Sequence, residues 1–204
     1  MKGKSSSFFW PSFTDLMTSL FFIMLVLYVL TFIKLKIQQQ ATEEQLNKIK
    51  EIQSAVKELD TTYFTYQQEY KRFSLKRQIQ FSTGKSDIRE NDTPYLSEVG
   101  KSIQNLILRL KSKYQHENIK YLIVIEGMAS NDGYPYNDYL SYQRALSLYK
   151  FWKDNNIEFD PNFCELQIAG SGTAGIGRYA GKDEYKNQRF LIQIVPKIGD
   201  IQTE

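Results

Sequence analysis

Three rhythms of hydrophobic and polar positions divide the chain. From Leu16 to Ile33 eighteen consecutive residues carry no charge and most are apolar, with Pro11–Asp15 leading in. A helix crosses the hydrocarbon core of a bilayer with about 20 apolar residues, so Pro11 to Ile33 reads as a transmembrane helix, with residues 1–10 as a short tail before it. From Lys34 to Phe73 the chain is rich in Gln, Glu and Lys and free of Gly and Pro. Apolar residues recur there every seven: Ile49, Val56, Tyr63 and Tyr70 on one seam position, and Ile52, Leu59, Tyr66 and Phe73 on the other. That a/d pattern predicts a helical coiled-coil linker over 34–73 and a parallel homodimer. The seam weakens toward the membrane at Gln38, Thr42 and Gln45. The alternative is a solvated linker that packs its aromatic end on the following domain.

Residues 74–204 change rhythm again. Gln78–Phe81 alternates as a short strand, and Ser82-Thr83-Gly84 breaks it. Asn91-Asp92-Thr93-Pro94 is a helix start with a capping residue and an early Pro. Leu96, Val99, Ile103, Leu106, Ile107 and Leu110 then follow at helical spacing. Tyr121–Ile125 reads as a buried strand, Leu140–Trp152 as a second amphipathic helix, Phe163–Ala169 as an alternating strand, Lys182–Gln188 as a short helix and Phe190–Val195 as the last strand. The fold class expected is α+β: a single membrane helix, a helical linker and a small α/β sandwich with its helices on one sheet face.

Composition narrows the function. The chain has 204 residues and a net charge of +3, with no basic run that suggests nucleic acid. One cysteine, Cys164, cannot form an intrachain disulfide, and one histidine, His116, lies in the polar stretch KYQHEN, so a His-based metal site is not expected. No cofactor or enzymatic activity is expected. Gly170-Ser171-Gly172-Thr173-Ala174-Gly175 fits a dinucleotide fingerprint by letter, but neither an amphipathic βαβ helix nor a ribose-binding acid follows it. Tyr134-Pro135-Tyr136 admits two readings, stacking on sugar or a turn with packed rings. The apolar segment is too long for a cleaved signal and lacks a small-x-small site after it, so it reads as an anchor. Lys2 and Lys4 on one side and Lys34 and Lys36 on the other leave its orientation open.

The membrane segment contains one acid, Asp15. A carboxyl that can be neutral or charged inside a membrane suits proton carriage, and insertion of a charge at a helix centre costs about 2.5–3.5 kcal/mol, which calls for a function. Thr18 and Ser19 lie one turn away and are candidate hydrogen-bond partners. The alternative is an interfacial Asp15 that caps the helix beside Trp10 and Lys4. One helix cannot form a proton path alone, so an ion-carrying Asp15 requires a second membrane protein.

WPSFTDLMTSLFFIMLVL resembles the transmembrane motif of stator B subunits, flagellar MotB and ZorB of the Zorya anti-phage system, with Asp15-Leu16-Met17-Thr18 at the ion-carrying element. The resemblance implies that Asp15 carries the ion with Thr18 beside it. It also implies a pentameric membrane partner of the MotA, ZorA or TolQ type around a dimer, a cytoplasmic tail and a periplasmic folded domain. A second stretch, Gln78–Lys197, is similar to the OmpA-type peptidoglycan-binding domain. The similarity runs through IQFSTGKSDI, EGMASNDG, Tyr136-Asn137, Leu140-Ser141, Arg144-Ala145, Gly170-Ser171-Gly172 and Asn187-Gln188-Arg189.

This second resemblance implies that Arg144 holds a carboxylate of diaminopimelate in the peptide stem by paired hydrogen bonds, with Asn137 bonding stem amides and Tyr136 alongside. Leu140 is expected in the core, and Arg189 is either a structural loop-bonding residue or a ligand. The family's acidic position, which meets the ligand ammonium, falls on Ser130 here, with Asp132 two residues on as its replacement. The function implied is an inner-membrane, proton-driven stator subunit anchored to peptidoglycan, nearer ZorB than flagellar MotB. A passive wall tether with no ion path is the rival.

Overall fold

The computed structural model describes residues 9–82, 84–114 and 119–198. The start of the tail and His116 lie outside the described residues. Two compact units are present, Met1–Lys50 and Glu51–Gln202.

Its described residues make the first unit one continuous helix, part of α1 (Phe9–Val56). Its most apolar window has no residue buried within the chain, and large side chains from Phe13 to Ile37 are exposed. A helix apolar all round needs an apolar surrounding, which a bilayer supplies. Among the described residues this is the one helix long and apolar enough to cross a membrane.

In the second unit the last turns of α1 bury Ile52, Ala55 and Val56 in the core of the domain itself. The helix then ends. The Asp60 carboxylate accepts the Thr62 N–H at 2.8 Å, a side-chain-closed turn. The chain continues as a hairpin, β1 (Phe64–Gln67) and β2 (Arg72–Leu75), with Lys71 at φ 49 in the connection. The linker helix expected over 34–73 is therefore corrected to an end at Val56. Val56, Leu59 and Phe73 are buried with Ile52 inside one chain, so they do not form a seam between two. The physical reason is that Thr, Tyr and Phe in TTYFTYQ prefer a half-buried pleated surface, and their sevenfold spacing is incidental to it.

A second correction concerns Gln78–Phe81. It is extended but forms no strand; Ile79 and Phe81 are buried without joining the sheet. The remaining elements fall where the hydrophobic pattern puts them: α2 (Thr93–Lys113), β3 (Ile119–Gly127), α3 (Asn137–Asp154), β4 (Cys164–Gly170) and β5 (Phe190–Ile198), with a 3₁₀ turn at Gly181–Asn187. At the start of α2, Asp92 makes no capping hydrogen bond and instead pairs with Arg77 at 2.8 Å.

The five strands run in the order β1-β2-β5-β3-β4, and only β3 and β4 are parallel, joined through α3. Tyr121, Ile123 and Ile125 of β3 and Phe190, Ile192 and Ile194 of β5 form a buried face, while Lys120 and Lys197 on the other face are exposed. Helix α2 contributes Leu96, Val99, Ile103 and Leu106 to the core, and α3 contributes Leu148 and Trp152. The Trp152 indole N–H donates to Leu96 O at 2.9 Å, which ties the two helices together. Cys164 is buried in edge strand β4, and burial pushes its thiol pKa up to about 12, with Asp160 adding to the effect.

Candidate functional site

The C-terminal end of β3 and the N-terminal end of α3 meet at unusually close range. A Cβ on Gly127 would stand 2.0 Å from Ser141 O, so only glycine lets the helix backbone sit this near the strand. Ser141 is fully buried; its hydroxyl donates to Asp138 O at 2.7 Å and accepts the Gly172 N–H at 2.9 Å. Gly172 has φ +51, and a Cβ there would meet Asp138 at 1.7 Å. The glycine-rich loop thus serves to seat α3, and its Gly172 N–H is already engaged by Ser141. This local packing accounts for the Leu-Ser-x-x-Arg-Ala pattern: Leu140, Ser141 and Ala145 are buried against the sheet, and Arg144 follows on the same side.

Arg144 is 2% exposed. Its Nε donates to Lys85 O at 3.3 Å, and its guanidinium carbon stands 4.5 Å from the centroid of the Phe81 ring. Nη1 is buried and has no hydrogen-bond partner among the described residues. Burial pushes the guanidinium pKa below its ordinary value, and Asp132 opposes that shift. A buried cation with donor capacity to spare is costly, and an incoming carboxylate would relieve it.

The 128–133 loop supplies the opposite charge. Asp132 is exposed, and its Oδ1 accepts from Asn137 Nδ2 at 2.9 Å and from Tyr134 N–H at 3.1 Å. Its Oδ2 accepts from the Ser130 hydroxyl at 3.3 Å. These bonds, the Asn137 amide first, hold its carboxyl below the usual range. Ser130 is buried and also accepts from Gln188 Nε2 at 2.8 Å. Ser130, Asp132 and Asn137 therefore form one network at the start of α3, and Asp132 is the carboxylate that Arg144 feels.

The other predicted residues separate. Tyr136 is 61% exposed, edge-on to Tyr134 at 5.7 Å, so these rings pack on each other at the turn. Arg189 is buried, donates to Gly177 O at 2.7 Å and lies over Tyr179 at 4.6 Å, a loop-bonding arrangement. In the apolar part of α1 Asp15 is exposed; Thr18 donates to Thr14 O at 2.7 Å and Ser19 to Leu16 O at 2.9 Å. Both hydroxyl protons are directed to backbone carbonyls, as is usual for such side chains in apolar helices, and away from the hydrogen bond expected with Asp15.

Several residues that position the site were not evident in the pattern. Arg178 donates to Gly172 O at 3.1 Å, Ala129 O at 2.9 Å and Glu184 at 2.6 Å, and Glu184 accepts Asn131 N–H at 2.8 Å. Together they fasten the 128–133 loop to the glycine-rich loop. A further buried arginine, Arg72, donates to Gln67 at 2.9 Å and Ile176 O at 2.8 Å and pairs with Glu126 at 3.5 Å. Its only sequence signal was an arginine among aromatic residues in a segment that read as helix.

No protein-family model and no curated protein matches the chain. Among solved structures, it is similar to the periplasmic domain of MotB, residues 64–256, at 13% identity and a TM-score of 0.42, covering 63% of each chain. It is similar to a putative MotB-like protein from Desulfovibrio vulgaris at 13% identity and a TM-score of 0.45, covering 80% of this chain and 99% of that one. The cell wall anchor of the T6SS from Pseudomonas aeruginosa is similar at 14% identity and a TM-score of 0.43, covering 68% and 90%.

Proposed function

We propose that the folded unit binds the peptide stem of peptidoglycan, and that the chain is the wall-anchored B-type subunit of an ion-driven stator. The observation that carries the wall-binding reading is Arg144, buried, with Nη1 unpartnered beside the Asp132 network. Diaminopimelate offers the complementary pair: a carboxylate for the guanidinium and an ammonium for a carboxylate. The ligand carboxylate takes the place of the long Arg144–Lys85 contact, and the charge-assisted bond is roughly twice as strong as a neutral one. The ammonium meets Asp132, which stands in for the acid absent at Ser130. Asn137 commits an amide hydrogen to Asp132, so its role is to aim that carboxylate more than to bond stem amides.

The stator reading rests on the Asp15-Leu16-Met17-Thr18 element within an otherwise uncharged span. In it, two copies stand in a ring of multi-pass partners in the inner membrane, with the folded unit in the periplasm. Asp15 takes up and releases protons, and the wall-bound unit is the fixed reference against which the ring turns. The defence-type system is favoured over the flagellar one by the FFWPSFTDLMTSLFF stretch. Since Ile52, Val56, Leu59 and Phe73 are occupied inside one chain, pairing of two copies draws on the membrane helices and the ring.

Sedimentation of the full-length protein with isolated peptidoglycan tests the wall site. Wild type is expected in the pellet and Arg144→Ala in the supernatant; a wild-type protein that stays soluble rejects the reading. Asp15→Asn tests the motor. It should abolish function while leaving expression and wall binding intact, and retained function would reduce the chain to a passive tether.

A further inference from the structure

Beside the Asp132 network, at the end of β2 and the start of β5, lies a polar cleft of about 260 Å³. Lys76, Arg77, Lys186 and Arg189 line it, with Gln78 and Tyr179. Two of these cations are already paired: Arg77 with buried Asp92 at 2.8 Å, and Lys186 with Asp183 at 2.7 Å in a solvent-exposed pair that an incoming carboxylate can replace. The other two are not. Lys76 makes no ion pair among the described residues, although Asp60 feels its charge. Arg189 is 8% exposed; Gly177 O and the Tyr179 ring take its far side, no carboxylate among the described residues pairs with it, and its Nε is buried without a hydrogen-bond partner. The cleft thus has an excess of positive charge and a buried guanidinium N–H to spare.

It is also connected to the first site. Gln78 Nε2 donates to Gln188 O at 2.7 Å, Gln188 Nε2 donates to Ser130 at 2.8 Å, and Ser130 donates to Asp132 at 3.3 Å. The cleft is thus linked by hydrogen bonds to the Asp132 carboxylate, whose charge Arg144 feels.

We propose that this cleft is a second, carboxylate-binding subsite that takes an acidic group of the peptide stem other than those of diaminopimelate. The proposal rests on the stem-binding reading of Arg144. In the stem the D-glutamate residue, linked through its side chain, leaves its α-carboxylate free, and that is the group the cleft would hold. Lys76 and Lys186 provide the solvent-side charge and Arg189 the buried side. The subsite would make the protein discriminate between stems with a free carboxylate and stems in which it is amidated.

The test uses the full chain in detergent and three probes: meso-diaminopimelate alone, the stem tetrapeptide with a free glutamate carboxylate, and the same tetrapeptide amidated there. Titration calorimetry should show wild type binding the free tetrapeptide about tenfold more tightly than the amidated one, the worth of one charge-assisted hydrogen bond. Lys76→Gln/Lys186→Gln should bind both tetrapeptides equally and diaminopimelate as wild type does. Arg144→Ala should lose all three. If the double variant keeps the preference, or wild type has none, the subsite is overturned while the Arg144 reading stands. If wild type binds none of the probes, both fall.

Discussion

Two arginines of the folded unit are buried to the same depth, and their surroundings differ in kind. Arg72 is 1% exposed and Arg144 2%. Around Arg72, a glutamine side chain, a backbone carbonyl and the Glu126 carboxylate all receive its hydrogens. Around Arg144 there is one long bond to a carbonyl, an aromatic face and an unpartnered Nη1. Burial alone therefore does not separate a satisfied cation from an unsatisfied one. The distinction lies in the count of hydrogens that have acceptors. Arg72 closes the end of the sheet where β2, β3 and the glycine-rich loop converge, whereas Arg144 keeps donor capacity unused.

That contrast can be broken most forcefully at Arg72. Arg72→Ala strands Glu126 as a buried charge, and a loss of about 3–5 kcal/mol in urea unfolding is expected; a variant as stable as wild type would erase the distinction. Next is Gly127→Ala, which leaves both arginines in place but drives a methyl into Ser141 O. It should cost about 1–3 kcal/mol as an overpacked contact and weaken wall sedimentation by shifting α3. Arg144→Ala should change stability by no more than about 1 kcal/mol, because the lost ring contact is offset by removal of a poorly satisfied buried charge. Large unfolding of this variant would make Arg144 structural after all.

The smallest effect is expected at Asp132, through pH. Its folded pKa lies below the ordinary 3.8. A depressed carboxyl contributes stability that is present above the unfolded value and lost as pH falls through the folded one. Wild type and Asp132→Asn should thus differ by a constant amount at neutral pH and converge as the solution is acidified below the ordinary carboxylate range, followed by urea midpoints.

Much of this was legible in the sequence. The α2 stripe, YLIVI of β3, FLIQIV of β5 and the α3 motif each carry a period that only one element satisfies, and the structure has them in that order. Arg144, Asn137 and Asp132 were legible because the motif fixes them on one helix start and the loop before it. The β1–β2 hairpin was not. Its aromatic residues satisfy a spacing of seven as well as alternation, and four-residue strands offer too few positions to decide between periods. The β-forming composition of TTYFTYQ was the available signal. The roles of Arg178, Glu184 and Gln188 depend on contacts between segments about 50 residues apart or more, such as Gln188 with Ser130, and no local pattern encodes those.

The buried thiol of Cys164 has a practical corollary. The sequence has no other cysteine. A thiol-reactive dye must wait for the outermost strand to part from its neighbour, because the burial that covers the thiol also pushes its pKa up to about 12. Labelling is then a clock for peeling of β4, readable in the full-length protein without engineered reporters. If the folded unit is placed under load, the first sign should be a faster clock at residue 164.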